Sequence, residues 1–162
     1  MEGTILYPLN ELKELKPDIY REHVAEYHGR EKVMEQKIPI LDCLWSDVVH
    51  FAAVHPSKVK QALLDAGVPN IGERKFYQIN PHLLDPAKTV FFLHRYGKAK
   101  FAEDFEIYNP DSVGNYATLS DTTKEYYREM IASGRNPLAY HAVPHILYKG
   151  SLDMAHIPII CV

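Results

Sequence analysis

LDCLWSDVVHFAAVHPSKVKQALLDAG, residues 41–67, holds the only tryptophan of the chain and is the passage whose reading decides the fold. Residues 48–54, VVHFAAV, are rich in β-branched and aromatic side chains, which suits a strand, although the apolar run from residue 41 also fits a buried helix. The strand is preferred because His55-Pro56-Ser57 makes a clear break and the segment after it needs a surface to pack on. That segment, 56–66, places Val59, Ala62, Leu63 and Ala66 on one helical face and Lys58, Lys60, Gln61 and Asp65 off it. Gly67 then suits the left-handed position that ends a helix.

Working outward, residues 4–7 are expected to form a short strand, followed by a helical pattern through Leu12 and Leu15. Lys16-Pro17-Asp18 interrupts it and opens a second helix, since proline is favourable in a first turn. Ile19, Tyr20, His23, Val24 and Tyr27 recur at three and four residues, predicting an amphipathic helix with Tyr and His on its buried edge. Residues 30–37 are highly charged and read as a further helical stretch on the surface, while Pro39 forces an extended entry into the central passage.

Downstream, residues 68–74 read as a loop, and 75–79, 89–94 and 105–108 as strands punctuated by Asn80-Pro81, Asp85-Pro86 and Gly97. Ser120 is a suitable N-cap for a helix through Thr123, Tyr126, Tyr127, Met130 and Ile131 that stops at Ser133-Gly134. Further strands are expected over 138–143, 145–148 and 157–162. The resulting fold class is α+β: one globular domain over 1–162, with a helical N-terminal part (1–40) and an α+β body (41–162). Its sheet is expected to be mostly antiparallel or mixed, of about five or six strands, with helices packed on it. Only 48–76 has the strand-helix-strand spacing of a parallel pair.

The formal charge of −3 is spread along the chain without a basic stripe, so nucleic acid is not an expected partner. No apolar segment approaches the ~18 residues of a membrane span, and the N-terminus lacks a basic region followed by an apolar run. The expectation is a cytoplasmic protein with no membrane partner, whose Cys43 and Cys161 are buried, reduced thiols. Eleven tyrosines are the clear compositional excess.

Nine histidines raise the question of a metal or of acid–base chemistry. No His-Glu-x-x-His and no Cys-x-x-Cys occurs, and His141 with His145 supplies only two ligands, so no metal site is assigned. His50 and His55 are five apart, hence on opposite faces of a continuous strand, so at most one belongs to a site. His50 is either oriented by Asp47, as a carboxylate orients a catalytic histidine, or satisfied by main chain in the core; no nucleophile motif accompanies it. His94-Arg95-Tyr96 ends an apolar strand, where a scaffold presents polar groups and where Arg95 would grip a carboxylate or phosphate, or simply lie beside a turn. His50, His94, Arg95, Tyr96 and His145 are the candidate ligand-binding residues. No catalytic residue and no cofactor is assigned from these residues.

In order, the His-bearing strand VVHFAAV, the helix PSKVKQALLDAG and the terminal VPHILYKGSLDMAHIPIICV resemble the layout of some ADP-ribosyltransferase-like toxins. In those proteins an early His holds NAD, a Tyr or similar residue stacks on nicotinamide, and a Glu in the late strand serves the transfer. The resemblance lies in the order of elements and implies His50 and Tyr96 as NAD contacts. The chain departs from that layout at the late strand, which carries His145 where the family has Glu. Three functional expectations follow: a small polar or anionic ligand bound in a His/Arg/Tyr-lined cleft; an ADP-ribosyltransferase-like NAD-binding protein, active or degenerate; and a non-catalytic interaction module that forms a homo-oligomer through its tyrosines.

Overall fold

At four Xaa-Pro steps the residue before proline uses its side chain as an acceptor, and at each the main chain turns into a helix or a 3-10 turn. His55 Nδ1 accepts from Ser57 N–H (3.3 Å), Asn80 Oδ1 from His82 N–H (3.1 Å), Asp85 Oδ1 from Ala87 N–H (2.9 Å) and Asn109 Oδ1 from Asp111 N–H (3.1 Å). The acceptor satisfies a donor that the first turn leaves orphaned, and the proline supplies a fixed φ where no N–H is needed.

The computed structural model describes residues 3–94 and 101–162. Strand β1 (Ile5–Leu6) leads into helices α1 (Leu9–Leu15) and α2 (Pro17–Ala25), then into the paired strands β2 (Lys37–Ile38) and β3 (Cys43–Leu44). Next come β4 (Val48–Ala52), α3 (Pro56–Asp65), β5 (Lys75–Tyr77), β6 (Thr89–Phe92) and β7 (Phe105–Ile107). Helix α4 (Asp121–Ala132) precedes β8 (His145–Lys149), β9 (Leu152–Asp153) and β10 (Ile159–Cys161).

The main sheet has four strands in the order β4-β8-β6-β7, and three two-stranded ladders, β1-β9, β2-β3 and β5-β10, stand apart from it. Every ladder among the described residues is antiparallel. The α+β class therefore holds, but the sheet is smaller than the five or six strands expected and is not mixed. The strand-helix-strand spacing of 48–76 makes no parallel pair, because β5 pairs with β10 instead of β4. Residues 138–143 are a turn-containing loop and not a strand.

The central passage is a strand followed by a helix, as its β-branched run and Pro56 suggest. It lies at the junction of three apolar clusters. Val48 joins Leu147, Val90, Phe92 and Phe105 on one face of the sheet, while Phe51 packs with Phe91, Ile146 and Tyr148 on the other. Val54 meets Val59, Ala62, Leu63 and Tyr127 between α3 and α4. Leu147, fully buried on the central strand β8, is flanked by His50 and Val90.

Several local expectations are corrected. No residue of α2 is buried, and His23 lies exposed beside Glu26 at 3.4 Å instead of facing the core. A helix this short and charged gains little from burial, so its half-buried Ile19, Tyr20 and Val24 form only a shallow contact. The charged stretch 30–37 contains a single 3-10 turn, Glu31–Val33, and the start of β2. Cys43 is buried, but Cys161 is exposed on β10; both are free thiols. Among the described residues no helix is long and apolar enough to cross a membrane.

Candidate functional site

Strand register decides what the site contains. On one face of the sheet Ala52, His145, Phe92 and Phe105 lie side by side across β4, β8, β6 and β7. His50 lies opposite Leu147 and is thus diagonal to His145, close enough for side chains to meet. Their imidazoles stand nearly perpendicular, with centroids 6.3 Å apart. His145 and His94 both contact the Phe92 ring, at 6.4 and 5.7 Å, and His94 in turn stands 5.3 Å from His141. The result is a row of four histidines, His50 and His145 on one sheet face and His94 and His141 on the loops that follow β6 and precede β8, in the spatial order His50, His145, His94, His141.

Aromatic rings back this row. Trp45 lies 4.7 Å from His50 and 5.1 Å from Phe92, Phe101 adds a further ring beside Trp45 and Phe92, and Tyr126 covers His141 at 4.3 Å. Trp45 is positioned through its turn: its N–H donates to Gln36 O (2.8 Å), and the neighbouring Ser46 hydroxyl donates to Met34 O (3.0 Å). At the other end, α4 holds the loop that carries His141. Thr123 Oγ1 donates to Ala142 O (3.1 Å), the Tyr127 hydroxyl to Ala139 O, and Leu138 N–H to the Tyr126 hydroxyl (3.2 Å).

Two residues of the row region occupy the left-handed part of backbone space without being glycine: His94 (φ 47°) and Ala142 (φ 56°). Such conformations cost on the order of 1–3 kcal/mol and persist only where the surroundings enforce them. One of these residues contributes an imidazole directly, and the other follows His141.

The electrostatics at His50, His141 and His145 favour the neutral ring. Burial, followed by the proximity of His145, pushes His50 down to about 4. Burial does the same to His145, assisted by His94 and opposed by the Val143 carbonyl, again to about 4. His141 is lowered by burial, then by His94 and Arg30. The Asp47 orientation of His50 does not occur: Asp47 accepts from Asn10 Nδ2 (2.6 Å) and Leu44 N–H (2.7 Å), while His50 Nε2 bonds the Trp45 carbonyl at 3.4 Å. The main-chain partner, one of the two readings of His50, is the one realised. His55 caps α3, and β4 ends at Ala52, so capping and not strand alternation keeps His55 out of the row.

Of the five candidate residues, His50, His94 and His145 are brought together; Arg95 and Tyr96 lie outside the described residues. The row adds His141 and the aromatic backing, which the sequence did not nominate. His141 joins through the turn at Ala142, for which neither periodicity nor motif offered a signal. Beside the row, a cleft of about 650 Å³ follows the outer edge of β4 and faces β5 and β10; His50, His145, Tyr77, Gln78 and Tyr140 are among its lining residues. Among the described residues no three His, Cys, Asp or Glu side chains are grouped to hold a metal ion. Comparison with protein-family models, with curated proteins and with solved structures finds no match for this chain.

Proposed function

We propose that this protein binds a small polar ligand at the histidine row. The observation that carries the reading is the convergence of four of the nine histidines, from β4, the end of β6, β8 and the approach to it, into one row backed by aromatic rings. Partly buried polar groups beside an apolar wall are what a small-molecule site requires. Depressed pKa values at two of them fit such a site, since burial there keeps the imidazoles neutral and able to accept hydrogen bonds.

The five remaining histidines, His23, His28, His55, His82 and His156, serve as internal controls. A nitrogen-detected NMR screen of small uncharged and anionic compounds should shift the ring signals of His50, His94, His141 and His145 together and leave those five in place. Ligands that move only the control histidines, or none at millimolar concentration, would sink the reading.

A second reading, an ADP-ribosyltransferase-like NAD-binding protein, is supported by one placement. His50, the residue that the resemblance assigns to NAD, lies within the row and against Trp45. Thermal stabilisation by NAD tests it, and no shift at millimolar NAD would remove it.

A further inference from the structure

Each of two imidazoles in the row has one ring nitrogen committed to a main-chain carbonyl, and a carbonyl can only accept. His50 Nε2 therefore donates to Trp45 O (3.4 Å), and His145 Nδ1 donates to Val143 O (2.6 Å). The tautomers follow: in neutral rings the lone pairs sit on Nδ1 of His50 and Nε2 of His145. Neither of these nitrogens has a hydrogen-bond partner among the described residues. Both side chains line the cleft that runs beside β4.

Resting on the ligand-binding reading above, we infer that the row selects an uncharged, diol-bearing ring of the nucleoside kind, whose neighbouring hydroxyls donate to Nδ1 of His50 and Nε2 of His145. The spacing suits this. With ring centroids 6.3 Å apart, two adjacent hydroxyls, each reaching its acceptor over roughly 2.8 Å, can bridge the pair. The chemistry suits it too. An anion would meet two lone pairs and no donor at these positions, whereas a hydroxyl supplies the missing proton to each. The cleft that His50 and His145 line also presents Phe76, Tyr77 and Tyr140, and ring surface beside the acceptors favours a ligand with a flat apolar part next to its hydroxyls. The low pKa of both histidines keeps the acceptor state in place at neutral pH.

The test uses the unmodified protein with nitrogen-labelled histidine near neutral pH, and three probes: adenosine, its dideoxy analogue lacking the ribose diol, and inorganic phosphate. Adenosine should move the signals of His50 Nδ1 and His145 Nε2, and the analogue should bind about tenfold more weakly for the loss of two hydrogen bonds. Phosphate should leave both nitrogens unmoved. Equal binding of adenosine and its analogue overturns the diol assignment. Phosphate moving the row while adenosine does not overturns the inference but leaves a ligand site at the row. If no probe moves the row, the inference fails; if the wider screen of uncharged and anionic compounds also leaves it unmoved, the ligand-binding reading fails with it.

Discussion

The imidazole of His50 stands edge to face against that of His145, 6.3 Å between centroids and 85° between planes, on neighbouring antiparallel strands. Both rings are tied to main-chain carbonyls through one nitrogen. Two protonated rings could not share this position cheaply, because each would lose water and face the other's charge. Protonation of either ring is therefore opposed by its own burial, and that of His50 by His145 as well.

Stability should depend on pH through this pair. Both histidines are depressed from 6.5 to about 4 in the folded state, so between those values the unfolded chain binds more protons than the folded one. Stability is then complete above about 6.5 and falls as the pH drops towards 4, by an order of magnitude of a few kcal/mol for the pair. The lowered His141 acts in the same direction, while the lowered carboxylates of Glu31, Asp42 and Asp153 act mainly below this window. Urea unfolding midpoints at pH 7.5, 5.5 and 4.5 check it, and a flat profile would show that the rings are not held neutral.

Replacing one member of the pair should move the other. In His145→Gln the charge that opposes protonation of His50 is gone, so the His50 pKa should rise from about 4. It should stay below 6.5, because burial and not His145 is the larger cause. An NMR titration of the His50 ring reads this directly. An unchanged value would mean that the two rings do not feel each other.

Much of this arrangement was legible beforehand, but only where one segment's own pattern decided it. The strand at 48–54, the helix after Pro56 and the Ser120 cap followed from β-branching, periodicity and side-chain acceptors, and each reappears within a few residues. The pairing of β4 with β8 did not follow, because almost a hundred residues separate His50 from His145 and alternation within each strand is silent about register. His50 and His145 were each visible as candidates; their diagonal contact was not. The turn at 138–143 was misread as a strand because Leu138, Ala139, Tyr140 and Val143 look extended in isolation, whereas bonds from Thr123 and Tyr127 on α4 shape it.

Those bonds predict a remote effect on the row. Thr123 is fully buried, and its hydroxyl donates to the carbonyl of Ala142. Thr123→Val preserves shape but leaves that buried carbonyl without its donor, which should cost about 1–3 kcal/mol. The Ser120 cap keeps its bond from the Thr123 main-chain N–H (3.1 Å) but loses the bond between its hydroxyl and Thr123 Oγ1 (2.8 Å), so part of the lost stability belongs to the cap. The His141 ring signal should shift with the loop, while that of His55, on α3, should not. Loss of stability without any change at His141 would separate the α4 anchor from the site.

Ala142 tests whether the loop stores strain. Its φ of 56° is a region that glycine enters freely and that costs an alanine roughly 1–2 kcal/mol. Glycine also gives the unfolded chain more freedom, an effect of about 0.4–1 kcal/mol in the opposite direction. The strain is the larger of the two, so Ala142→Gly should stabilise the protein by up to about 1 kcal/mol. Ala142→Val should do the reverse and by more, because a β-branched side chain tolerates this φ least and the position is buried. Denaturation midpoints of the two variants decide the matter. If the glycine variant were the less stable of the two, packing of the Ala142 methyl group, and not backbone geometry, would be what holds His141 in the row.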